Sequence, residues 1–246
     1  MSAAATGEAH AERLTAACLL SLVGGFLDIY TYLYRGGVFA NAVTGNLVLF
    51  GLHLASLDYI VCAKYLLAIT AYACGVFAAE LVHRKLPEAR RLGWHQAVLM
   101  IEVLCLLPIV MIPRGGFDFA VNALVSFVCA LQVQTFRRMN GLPFASTMCT
   151  GNLRSGTEAL FRQVSGQSAG GIRSALHYYL VIGCFITGAA GGAVLLRTLG
   201  EPVFILAPVG LIAVFFMIIS KRQHALLRRS LFRLSGRQKR SSGTRR

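Results

Sequence analysis

Six stretches of this chain carry at most two charged side chains each over about 20 residues, the length a helix needs to cross a hydrocarbon layer of ~30 Å. They run over residues 14–34, 59–82, 95–112, 117–136, 175–196 and 202–220. Hydrophobic residues make up 56% of the 246 and charged residues only 14%. A soluble domain carries roughly 25% charged residues. No part of the chain has that composition, so the expected class is an all-α polytopic membrane protein.

Two further stretches, 38–56 and 143–163, fit this scheme poorly. The first is uncharged but interrupted by Asn41, Thr44, Gly45, Asn46 and Gly51. The second carries Arg154, Glu158 and Arg162, too many charges for a helix facing lipid. Both contain the same tripeptide, Thr44-Gly45-Asn46 and Thr150-Gly151-Asn152, and each follows an apolar span. Beyond each lies a span with a similar centre, Tyr72 to Gly75 in one and Phe185 to Gly188 in the other. This is a weak internal repeat, with halves at about 14–112 and 117–220.

Charge decides how the halves sit. Of the 24 Lys and Arg residues, ten fall in 221–246, where there is no acid, and the rest of the chain nets +4. Such a block after an apolar run reads as a cytoplasmic tail on anionic lipid. Leu226, Leu227, Leu231 and Leu234 among the arginines suit an amphipathic helix on the inner leaflet. The tail has no recognisable nucleic-acid fold, so nucleic acid is not the expected partner. The loop at 83–91 is also basic. Both lie on one side if the second Thr-Gly-Asn stretch dips in and returns. If the first also returns, six spans form two inverted halves of three, with both termini inside. Broken but complete spans give seven or eight. Residues 1–13 form a polar N-terminal segment and 14–220 one transmembrane domain.

Irregular backbone at membrane depth is tolerated only where protein or a polar cavity surrounds it. Thr44, Asn46, Thr150 and Asn152 can satisfy the broken backbone or hold a solute, and Gly45 and Gly151 allow a sharp turn or a close approach. Asn41, just upstream, joins this set. Asp28 lies inside the first span, where an unpaired carboxylate costs about 2.5–3.5 kcal/mol on insertion scales. Two readings stand: a proton- or cation-binding group, or an acid hydrogen-bonded to an interior partner. Aligning the tripeptides sets Asp28 opposite Gln134, with Gln132 nearby. Glu102 is a second intramembrane acid, with Arg137 or Arg138 as expected partner. The seven cysteines are scattered singly, so no metal site, disulfide framework or cofactor is expected.

Gly25-Phe26-Leu27-Asp28, then Gly37 through Asn46, resembles the signature of the bacterial YoaK family (domain of unknown function 1275). The segment from Leu131-Gln132 through Arg137-Arg138 to Thr150-Gly151 is similar to that family's second half. Ala130, Val133 and Asn152 depart from it. The resemblance implies a bacterial inner-membrane protein of about six spans and supplies no substrate.

Three function classes remain. A small secondary transporter or permease, with a polar site between repeats and an unknown small solute or ion, is favoured by the repeat, the broken spans and Asp28. A membrane scaffold, sensor or assembly partner would act through the basic tail and the small-residue helix faces, within a homo-oligomer or on other proteins. An enzyme is not expected, because no catalytic fingerprint occurs.

Overall fold

The computed structural model describes residues 13–86, 93–167 and 170–218. The N-terminal segment, the middle of the 83–91 loop and the basic tail lie outside the described residues. Helices dominate: α1 (Leu14–Tyr34), α2 (Val43–Ala55), α3 (Tyr59–Lys85), α4 (Trp94–Leu106), α5 (Asp118–Thr135), α6 (Cys149–Val164), α7 (Gly171–Leu199) and α8 (Leu206–Ile218). A 3-10 turn at Leu107–Met111 prolongs α4, and another at Glu201–Ile205 leads into α8. A two-residue hairpin pairs β1 (Arg138–Met139) with β2 (Leu142–Pro143).

Six helical units are long and apolar enough to cross a membrane: α1, α3, α4 with its 3-10 turn, α5, α7, and α8 with its preceding turn. The chain is therefore an all-α, multi-pass membrane protein.

Contacts at the helix ends define two rims. At one, the Arg35 guanidinium donates to Ile112 O at 2.8 Å and to Pro113 O and Asp118 Oδ1 at 3.0 Å each. Glu201 lies 3.4 Å from the same guanidinium. At the other rim Trp94 stacks on His83 at 4.3 Å, and Arg137 lies 3.9 Å from Glu80. The six spans thus alternate in direction, with residue 13 and the end of α8 both at the Trp94 rim.

The two shorter helices enter and leave by one rim each. After α1, Gly36 and Gly37 take φ of +81° and +77°, a left-handed conformation that an L side chain resists, and turn the chain back. Residues 38–42 run inward beside α1 until Asn41 reaches Gly24 O, midway along that helix. Then α2 runs outward to the Arg35 rim, where Lys64 of α3 donates to Gly36 O. In the second half the hairpin lies at the Trp94 rim, and residues 144–148 run inward to Gly24. From there α6 returns to the same rim, where Gln163 Oε1 accepts the N–H groups of Gly170 and Gly171. Both interrupted stretches are re-entrant.

Packing between halves runs crosswise. The broadest helix pairings are α1 on α7 and α3 on α5, while α4 meets α8. Gly188 of α7 rests on the Leu22 carbonyl of α1, and Gly75 of α3 rests on the Phe127 carbonyl of α5. A side chain at either glycine would collide with backbone, so these are the points of closest helix approach.

Candidate functional site where the re-entrant segments meet

Gly24 is the meeting point. Its carbonyl accepts the Asn41 amide at 3.2 Å, and a Cβ placed on it would meet Thr147 Cγ2 at 2.5 Å. Asn41 ends the first inward segment and Thr147 the second, so α2 and α6 both begin near the bundle's middle. The unpaired N–H groups and positive dipole ends of two helices converge there.

Asp28, one turn further along α1, carries the compensating charge. Its Oδ1 accepts the Asn41 N–H at 2.8 Å, and the Ala40 N–H and Asn41 side chain also lie close. Asp28 is 7% exposed and Asn41 6%, so both are almost enclosed. The carboxylate grips the tip of the first inward segment. This is the hydrogen-bonded alternative for Asp28, although its position at the convergence suits either reading.

The second segment is gripped by an uncharged group. Gln132 Nε2 donates to Ser146 Oγ at 2.7 Å and to Leu20 O of α1 at 3.2 Å. Gln132 therefore does for residues 144–148 what Asp28 does for 38–42. The gap-free alignment pointed instead to Gln134, which lies on the other side of α5 and donates to Glu80. The functional pairing is displaced by two residues because Gln134 faces α3.

Asn46 and Asn152 occupy matching roles. Asn46 Nδ2 donates to Phe39 O at 2.6 Å, and Asn152 Nδ2 donates to Ala145 O at 2.7 Å. Each side chain reaches back seven residues and ties its helix to the inward segment before it. Thr44, Thr150 and Gly151 are exposed on the first turns of α2 and α6, away from Asp28's ligands. Gly45 and Gly151 do not turn the chain sharply. Both lie within helices, and an added Cβ would meet ordinary contact at Gly45 and open space at Gly151.

Glu102 also departs from expectation. Arg137 pairs with Glu80 at the rim, and Glu102 is fully buried, with no hydrogen-bond partner for either oxygen among the described residues. Cys129 of α5 lies within hydrogen-bonding reach of Asn41 and near enough to both acids to interact with them electrostatically. Among the described residues no group of His, Cys, Asp and Glu is arranged to hold a metal ion.

Sequence reasoning missed Ser146, Thr147 and Arg35. The first two precede the repeated tripeptide by four and three residues, Asn41 precedes its copy by three, and that offset was the available signal. Arg35 is 1% exposed, held by Tyr30, Asp118, Glu201 and two carbonyls. Burial opposes its charge, but the hydrogen bonds it donates to Tyr30 and Asp118 outweigh this and push the guanidinium pKa upward. Arg114 extends the cluster, donating to Glu201 at 2.8 Å while lying over the Tyr34 ring.

Residues 16–218 match the family described as "Protein of unknown function (DUF1275)". The chain belongs to the DUF1275 family. It is also similar to the UPF0700 transmembrane protein YoaK of Bacillus subtilis (strain 168), at 30% identity over 165 residues, covering 65% of this chain and 70% of that relative. No solved structure matches the chain. The resemblance carried by Gly25 through Asn46 therefore holds, and in this chain that stretch forms the Asp28 clasp and its inward segment.

Proposed function

We propose that this DUF1275 member is a small secondary transporter or permease, built as two inverted halves around the Asp28 convergence. One observation carries the reading: both re-entrant segments end at Gly24, beside an almost enclosed carboxylate. Transporters with inverted repeats place solute and ion sites at such junctions of broken helices. The crosswise pairing of α1 with α7 and α3 with α5 supports the symmetry, as do the matching Asn46 and Asn152 bonds.

Asp28 couples the site to motion. As an anion it accepts the N–H groups of residues 40 and 41 and holds the first segment inward. A proton or cation on that carboxylate weakens the clasp and frees residues 36–42 to open one side. The Trp94 rim faces the bacterial cytoplasm, because Arg84, Lys85, Arg137, Arg138 and Arg173 gather there and α8, after which the sequence turns basic, ends at the same rim.

Uptake of a mixed pool of small polar solutes into proteoliposomes, read by mass spectrometry, tests the reading. At least one solute should accumulate with the native protein and fall to background with Asp28→Asn. Flux unchanged by Asp28→Asn would remove the coupling role, and no accumulation of any solute would remove the transporter reading. Loss of the cellular phenotype on deleting 221–246, with Asp28→Asn tolerated, would instead favour the scaffold alternative.

A further inference from the structure

Five residues of α5 wind along it as one buried polar stripe: Asn122, Ser126, Cys129, Gln132 and Thr135, none more than 3% exposed. The spacing of four, then three residues keeps successive members on neighbouring parts of one surface. From Asn122 to Thr135 the stripe covers about 20 Å of helix rise, most of a bilayer core. Asn122 Oδ1, Ser126 Oγ, Gln132 Oε1 and Thr135 Oγ1 are each buried without a hydrogen-bond partner among the described residues. An apolar span needs none of these groups, and each buried polar atom left unsatisfied is destabilising. Such a concentration calls for an explanation beyond packing.

Glu102 sits on α4, which packs against α5, at the depth of the middle of this stripe. It precedes Met111, at the Arg35 rim, by nine residues, a depth of about 16 Å through α-helix and 3-10 turn, while Ser126 follows Asp118 by eight, about 12 Å. Cys129, one turn further along α5, is close enough to Glu102 for the two to interact electrostatically. The stripe's outer end is tied to the Arg35 rim, where Asn122 Nδ2 donates to Arg35 O at 2.7 Å. Around Glu102 the titratable neighbours are Cys105 on α4, Cys129 on α5 and, past the thiol, Asp28 on α1. Tyr72 of α3 stands on the other side of Cys129, and α8 carries no titratable residue.

We propose that Glu102 is a proton-binding site that exchanges with the Arg35 rim along Asn122 and Ser126. The proposal rests on the transporter reading and names its coupling ion as the proton. A proton is the ion that answers a fully buried carboxylate with no hydrogen-bond partner among the described residues, because binding it removes the charge that burial penalises. It leaves water at the Arg35 rim, passes the Asn122 amide and Ser126 hydroxyl, binds one Glu102 oxygen, and returns by the same route. Asp28, reached through Cys129, is then the group whose clasp responds.

Infrared difference spectroscopy of the full chain in lipid, with exchange from H2O to D2O, tests this without knowing the solute. The expected result is a carboxylic-acid C=O band that shifts in D2O, disappears in Glu102→Gln and persists in Asp28→Asn. Glu102→Asp should move the band without abolishing it, which separates loss of the site from loss of the fold. Ser126→Ala should slow the band's exchange by about tenfold, because it removes a polar group between the rim and the acid, with backbone amide exchange unchanged. A missing band, one insensitive to Glu102→Gln, or an exchange rate indifferent to Ser126→Ala would overturn the proposal. Solute uptake with a band that does not exchange defeats this inference alone. An exchanging band with no solute uptake defeats the transporter reading and leaves the proton site standing.

Discussion

The Asn41 N–H donates to Asp28 Oδ1 at 2.8 Å, joining the tip of an inward-dipping segment to a helix thirteen residues earlier. An ionised acceptor makes this bond stronger than one between neutral groups. Asp28→Asn keeps the shape and weakens the clasp, so stability should fall by about 1–3 kcal/mol. Thermal unfolding in detergent measures the loss. Residues 36–42 should also become more susceptible to protease than the rest of the described chain.

Asn46 and Asn152 each hold a carbonyl of the segment leading into their helix, at 2.6 and 2.7 Å. Replacing either by Ala strands that carbonyl and should cost about 1–3 kcal/mol. Because the bonds lie in separate segments, the double variant should lose close to the sum. Denaturation of single and double variants, analysed as a cycle, gives the answer.

Arg35 joins the end of α1 to Asp118 of α5 and Glu201 beyond α7. Removing one member of a buried ion pair costs about 3–5 kcal/mol, because the partner charges stay behind. Arg35→Ala should approach that figure. Arg35→Lys should rescue little, since an ammonium cannot reach two carbonyls and two carboxylates in one plane. Asp118→Asn, at a carboxylate with 21% side-chain exposure, should be milder. Melting temperatures of the three variants should follow that order.

Gly75 and Gly188 face backbone carbonyls across the two broadest helix contacts, whereas Gly183 and Gly191 meet nothing. Leucine at either of the first two should prevent assembly, because backbone cannot move aside as a flexible side chain can. Alanine at Gly183 or Gly191 should be silent. Size-exclusion profiles and expression yield distinguish the two outcomes.

Sidedness has its own test. In a cysteine-free background, Leu57→Cys and Gly116→Cys should react with an impermeant maleimide from outside intact cells. Asn140→Cys and Gln167→Cys should react only after permeabilisation. If residues 38–56 formed a complete span, Gly37→Cys and Leu57→Cys would lie on opposite sides and would not label together.

Hydropathy located the six spans well because lipid acts on each helix separately. The stretch 14–34 coincides with Leu14–Tyr34, and the others differ mainly at ends that emerge into polar surroundings. Charge bias bore on the second Thr-Gly-Asn stretch alone, which lies between the basic loop at 83–91 and the basic tail, and it left the first open. The site was harder to read. Asp28, Asn41 and Gln132 were legible as polar residues at apolar depth, but their partners depend on tertiary packing. Gln134 shows why: sequence alignment keeps a constant offset, while the clasp needs a side chain facing Ser146. Arg35 resembled an ordinary loop charge, because Asp118 and Glu201 join it only through folding. Glu102 was expected to find an arginine, but both candidates remain at the rim.

The crosswise pairing of helices has a consequence for how the protein is made. During synthesis α1 is inserted long before α7, the neighbour it packs against most widely, has left the ribosome. The same holds, over a shorter interval, for α3 and α5. The first half therefore waits in the membrane with its closest-packing faces turned to lipid, holding two acids that have yet to find their surroundings. Maturation is a late, concerted event, and a chain interrupted before α7 leaves behind a set of inserted helices rather than a working half.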